Sequence, residues 1–162
     1  MIVSDSSPLI YLAKIGRLTL LKDLYKEVIV SDGVIGEVLI KGKPGTTEIE
    51  KALDEGWSRR VKAKIDFDPE SDGISKVDAE LICLARDKGL QLLTNDRALF
   101  YCAKSHGVKS EWFTLMIIKA TKSDLLSPDD AEELLTELVH SGLRIRSEVL
   151  AELVRQIRDL KD

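Results

Sequence analysis

Histidine and cysteine are scarce in this chain. His106 and His140 are the only histidines, so no histidine cluster is available for metal binding or for acid–base work. Cys83 and Cys102 both fall inside helix-like apolar patterns and read as reduced core residues. That usage fits an intracellular protein rather than a disulfide-stapled one. No apolar run is long enough to span a membrane, which excludes a membrane partner. The amino terminus is too short and too acidic for a secretory signal, so a cytoplasmic location is expected. Net positive charge is also missing: 24 Lys and Arg against 28 Asp and Glu leave −4. Generic nucleic-acid binders are usually basic. Any handling of nucleic acid therefore falls to a local basic patch or to bound metal. No Gly-rich phosphate loop is present. Ser4, Ser6 and Ser7 are not framed by the glycines of a nucleophile elbow, which excludes a serine hydrolase of that kind.

What remains is ample for a globular core. The 162 residues are 44% hydrophobic, enough for one domain without repeats or long linkers. Met1–Ser4 suits a buried strand and runs directly into Asp5. Ser6 or Ser7 suits the cap of a following helix, with Pro8 in its first position, and helping to cap that helix is the alternative role for Asp5. Val28–Val30 predicts a second strand, with Ser31 and Asp32 capping the next helix. A helix capped by Thr46 or Thr47 follows, then a loosely alternating segment from Trp57 to Ile65. Residues 67–76 read as a polar loop. Val77–Ala85 is a helix stopped at Gly89, Leu90–Thr94 a strand, and Ala98–Ala103 another helix. Val108–Ser110 reads as a last edge strand. Strands alternating with helices predict an α/β fold, a parallel sheet of about four to five strands covered on both faces. After Trp112 the pattern is purely helical. Ser127 caps one helix, with Pro128 at its first position, and Ser147 caps the last. The expected organisation is an α/β body over residues 1–120. A helical hairpin over 121–162 is packed on it, within one domain.

Four acids stand out by position. Asp5 and Asp96 each follow a buried strand and precede a helix. In a parallel sheet with neighbouring strands, both lie at one edge, where open α/β sheets bind ligands. Glu37 lies beyond the first turn of its helix, among Val34, Ile35 and Val38. Asp78 and Glu80 open an otherwise apolar helix, where the helix dipole also favours acids. Converging carboxylates repel one another and raise their own pKa values unless a cation joins them. An all-oxygen site selects a hard ion, Mg²⁺ or Mn²⁺. Such an ion orients a water, lowers its pKa and offsets charge on a phosphodiester. Arg59, Arg60, Lys62 and Lys64, with Lys41 and Lys43, could hold phosphates. A solvated charged face explains them as well.

Val3-Ser4-Asp5-Ser6-Ser7-Pro8-Leu9-Ile10, Glu37 after the second strand, Asp78-Ala79-Glu80, and Leu93-Thr94-Asn95-Asp96 together resemble the PIN domain. They are most similar to its small prokaryotic members, the VapC-type toxin ribonucleases and their relatives. The resemblance covers residues 1–120. It implies divalent-metal-dependent endonucleolytic cleavage of RNA. It places the acidic catalytic and metal positions at Asp5, Glu37, Asp78 and Asp96, with Glu80, Thr94 and Asn95 in supporting contact. Many relatives carry a further acid after the last motif aspartate, where this chain has Arg97, Ala98 and Leu99. That leaves one ion or two open. It also leaves open a PIN-like RNA- or protein-binding module that is catalytically weak or inactive. A toxin implies an antitoxin that lays a helix or extended segment near the acids. The leucine stripes of the last two helices suggest a homodimer.

Overall fold

The computed structural model describes residues 1–161, and these divide into two compact units, residues 1–111 and the residues from 112 onward. β1 (Ile2–Ser4), β2 (Val28–Val30), β3 (Ser58–Arg60) and β4 (Leu92–Thr94) of the first unit and β5 (Ser110–Trp112), which runs to the boundary, form one sheet in the order β3-β2-β1-β4-β5. Pairing is parallel between β1 and β2, β1 and β4, and β2 and β3. Every residue of β1, β2 and β4 is buried. Successive strand residues face opposite sides, so helices must cover both faces of the central sheet. This is the α/β architecture that the alternating pattern predicts. Each fully buried Leu, Ile or Val contributes on the order of 1.5–3 kcal/mol, so the short strands are held mainly by what covers them.

The connections are α1 (Ser6–Lys14), α2 (Thr19–Tyr25), α3 (Asp32–Val38), α4 (Thr46–Asp54), α5 (Lys76–Lys88) and α6 (Arg97–Ser105). Within the second unit, α7 (Phe113–Lys122), α8 (Pro128–His140) and α9 (Ser147–Asp159) pack on one another. The helix of residues 113–122 therefore falls with the last two helices. Leu134, Leu135, Leu138, Leu153 and Ile157 are all buried, so most of the leucine stripe already lies within the chain.

Several local details differ from expectation. Asp5, not Ser6 or Ser7, caps α1: its Oδ1 accepts from the Ser6 N–H at 2.8 Å, and Pro8 sits in the first turn. Aspartate and serine are nearly equal N-cap residues, so three adjacent candidates could not be ranked. The strand expected over 57–65 stops at Arg60. Its last ladder bond runs from the Val61 N–H to the Val30 carbonyl at 2.9 Å, because β2 ends there and Ser31 caps α3. The last strand starts at Ser110 rather than Val108, whose N–H is held by the Ala103 carbonyl at the end of α6. Ser147 is the first residue of α9 and caps nothing. Ser127 does cap α8, in a reciprocal capping box with Asp130 and with Pro128 at the first position.

Gly45, not Thr46 or Thr47, precedes α4. The Thr46 hydroxyl instead donates to the carbonyls of Ile40 and Lys43. Gly45 has φ +89°, and a Cβ there would lie 2.8 Å from the Ala13 Cβ and 3.1 Å from the Ala13 carbonyl carbon. Both the backbone conformation and the contact with the end of α1 demand glycine. Gly45→Ala should therefore destabilise the chain by about 1–3 kcal/mol in urea denaturation. An unchanged midpoint would contradict the close approach.

Candidate acidic metal centre

The chain passes from β1 to β2 and β3 on one side, then crosses to β4 on the other. The register Val3 to Leu92 and Ser4 to Leu93 makes β1 and β4 direct neighbours. A crevice opens at the carboxyl ends of strands where the order reverses in this way. Asp5 follows β1 there, and Asp96 lies two residues beyond β4.

Hydrogen bonds fix both. Asp5 Oδ2 accepts from the Thr94 hydroxyl at 2.9 Å, across the two strands. Thr94 Oγ1 in turn accepts the Asp96 N–H at 3.0 Å. Asp96 Oδ1 accepts the Leu99 N–H at 3.0 Å and so caps α6. Glu37, on the solvent side of α3, accepts from the Ser6 hydroxyl at 3.1 Å. Asp78 is half-buried in the first turn of α5, with its N–H bonded to the capping Ser75 Oγ. Glu80 turns elsewhere: its Oε2 accepts the Gly33 N–H at 3.0 Å at the start of α3. A Cβ on Gly33 would meet that oxygen at 2.7 Å and Val77 Cγ2 at 2.6 Å. Glu80 and Gly33 thus tie the helix carrying Glu37 to the one carrying Asp78. Asn95 sits in the turn between Thr94 and Asp96. Ser6 was read as a cap candidate and not as a partner of Glu37, and Gly33 was not singled out from the sequence. A glycine in the first turn of α3 was the available signal.

Electrostatics link the four acids through Asp5 and Asp78. Burial pushes the Asp5 carboxyl up to about 6. Its bonds from Ser6 and Thr94 oppose the rise, and the charges of Asp78 and Glu37 add to it. Asp78 is also raised, first by burial and then by Asp96, with Glu37 contributing. They do not form a closed set of ligands. Among the described residues, Asp72, Cys102 and His106 are the one trio of potential ligands whose atoms all lie within 4.8 Å of one another. Part of the basic cluster is already paired, Arg59 with Glu27 at 2.8 Å and Arg60 with Asp32 at 2.6 Å.

A family model described as a PIN domain matches residues 1–159. The chain belongs to the PIN-domain family. Among solved structures, this PIN domain is similar to a PilT N-terminus domain protein from the hyperthermophilic archaeon Sulfolobus solfataricus. The identity is 17%, the TM-score 0.54, and the match covers 70% of this chain and 87% of that one. At that identity the likeness concerns the fold. No curated protein matches the chain significantly. PIN domains are in general nucleases that bind divalent metal. The donor set of this PIN domain fits such an ion: carboxylate oxygens at one sheet edge, with Asp5 and Asp78 raised first by burial and then by neighbouring acids.

A raised carboxyl binds its proton more tightly in the folded than in the unfolded chain. Its stabilising contribution is complete below about pH 4 and is lost as pH rises through about 6. In chelator-containing buffer, the melting temperature of the wild type should fall between pH 5 and 7. Asp5→Asn should flatten that fall and, at pH 7, stabilise the fold by on the order of 1–3 kcal/mol. Identical pH profiles for the two would contradict the geometry at Asp5.

Proposed function

We propose that this PIN domain is an endoribonuclease dependent on Mg²⁺ or Mn²⁺, acting in the cytoplasm as the toxin of a type II toxin–antitoxin pair. One observation carries the proposal. Asp5, Glu37, Asp78 and Asp96 are linked electrostatically at the switch point of the sheet, and Asp5, the most buried of them, is raised first by burial and then by Asp78 and Glu37. Asp5 is the fixed member, clamped between the Ser6 amide and the Thr94 hydroxyl. The Thr94 hydroxyl keeps Asp96 in register with it, and Ser6 steers Glu37. Asp78 faces them from α5. When bound, the ion supplies a polarised water for phosphodiester hydrolysis and charge to offset the phosphate. The exposed Lys41, Lys43, Lys62 and Lys64 supply positive charge for the RNA backbone.

The antitoxin would cover the acids and present a basic side chain to them. A homodimer belongs to the same proposal. With the leucine stripe largely buried, its surface is the groove of about 300 Å³ between α8 and α9, lined by Leu135, Val139, Leu150 and Val154.

A second possibility is a PIN-like module that binds RNA or protein without cutting. It is favoured by Arg97, Ala98 and Leu99 after Asp96 and by the open spacing of the acids. The purified chain should cut a structured RNA with Mg²⁺ or Mn²⁺ and stop on addition of EDTA. Asp5→Asn and Asp96→Asn should each reduce cleavage by more than the roughly 10–100-fold typical of losing an outer-shell partner of a metal. Cleavage that survives both substitutions would overturn the site. RNA binding with no cleavage under either metal would favour the module.

A further inference from the structure

We propose that Asp72, Cys102 and His106 form a second metal site, for a borderline-soft divalent cation of the zinc type. It uses none of the four acids and stands or falls independently of the nuclease function. Cys102 and His106 are four residues apart at the end of α6, which puts them on one face of the helix. Asp72 ends the short 3₁₀ turn Glu70–Asp72 in the segment before α5. Its Oδ2 lies 2.8 Å from His106 Nε2, and the ligating atoms of all three residues lie within 4.8 Å of one another.

In a tetrahedral zinc site with bonds of about 2.0–2.3 Å, neighbouring ligand atoms are about 3.3–3.7 Å apart. The trio is therefore within an adjustment on the order of 1 Å of that geometry. Thiolate, imidazole and carboxylate together select zinc-like ions over Mg²⁺, whereas the acidic centre selects the reverse. Three protein ligands with Asp72 exposed leave a fourth position for water.

The surroundings hold the site in shape. The Phe67 ring stacks on His106, with centroids 4.1 Å apart and planes at 29°, so the 67–72 segment is anchored to α6 at two points. A bound ion adds a third and stiffens the approach to α5. Cys102 also feels the charge of Asp78, so a dication here carries positive charge toward the acidic centre. A plain Asp72–His106 ion pair would hold the segment without any use for the thiol. That difference is what the experiment reads.

The probe is Co²⁺ added to the full chain in excess Mg²⁺, followed by the thiolate-to-cobalt charge-transfer band. The wild type should saturate with one equivalent, and Zn²⁺ should remove the band. Cys102→Ser and His106→Gln should each lose it, while Cys83→Ser, which alters the other cysteine, should keep it. If Cys102→Ser does not fold, His106→Gln alone decides. Absence of the band in the wild type, its survival in either Cys102→Ser or His106→Gln, or its loss in Cys83→Ser would overturn the site.

Discussion

The hydrogen bond from the Thr94 hydroxyl to Asp5 is the join on which the site depends. It spans residues 89 apart in sequence and links the ends of two parallel strands at the point where strand order reverses. An ionised carboxylate this buried is unfavourable unless it is hydrogen-bonded and compensated. Two bonds hold Asp5, and they do not cancel the burial. The fold tolerates a residue that opposes it locally, a pattern expected where chemistry sets the requirement rather than stability. The same carboxylate caps α1, so the structural and chemical roles of Asp5 coincide in one side chain.

Two kinds of donor set lie close together on the first unit. One is all carboxylate oxygen and suits a hard ion; the other mixes sulfur, nitrogen and oxygen and suits a softer one. They share α6, which begins at the Asp96 cap and ends at His106. A single helix therefore connects the two, and whatever fixes its far end bears on the placement of its cap.

Much of this was legible in the chain itself. Buried three-residue strands that run into acids, as at Val3-Ser4-Asp5 and Leu93-Thr94-Asn95-Asp96, are a local signal. Parallel pairing then puts both acids on the same edge without further information. Boundaries were less readable, since they follow from partners. The strand after Trp57 ends where β2 ends, and nothing in residues 61–65 marks that point. Caps failed where several residues of equal preference adjoin, as at Asp5-Ser6-Ser7, or where a tertiary contact dictates glycine, as at Gly45. Glu80 was expected to project differently from Asp78 and to play only a supporting part. A helix sends residues two apart in different directions, and Glu80 meets the Gly33 amide. Asp72 could not be joined to Cys102 and His106 from sequence, because an irregular loop brings it there.

The central claim is that four distant acids are gathered to hold a hard cation. Anomalous diffraction from a crystal soaked in Mn²⁺ addresses it most directly. A manganese peak among Asp5, Glu37, Asp78 and Asp96, with carboxylate oxygens drawn to about 2.0–2.2 Å, is the predicted result. A crystal at saturating Mn²⁺ with no peak among these residues, and the carboxylates left where the metal-free chain puts them, would contradict it.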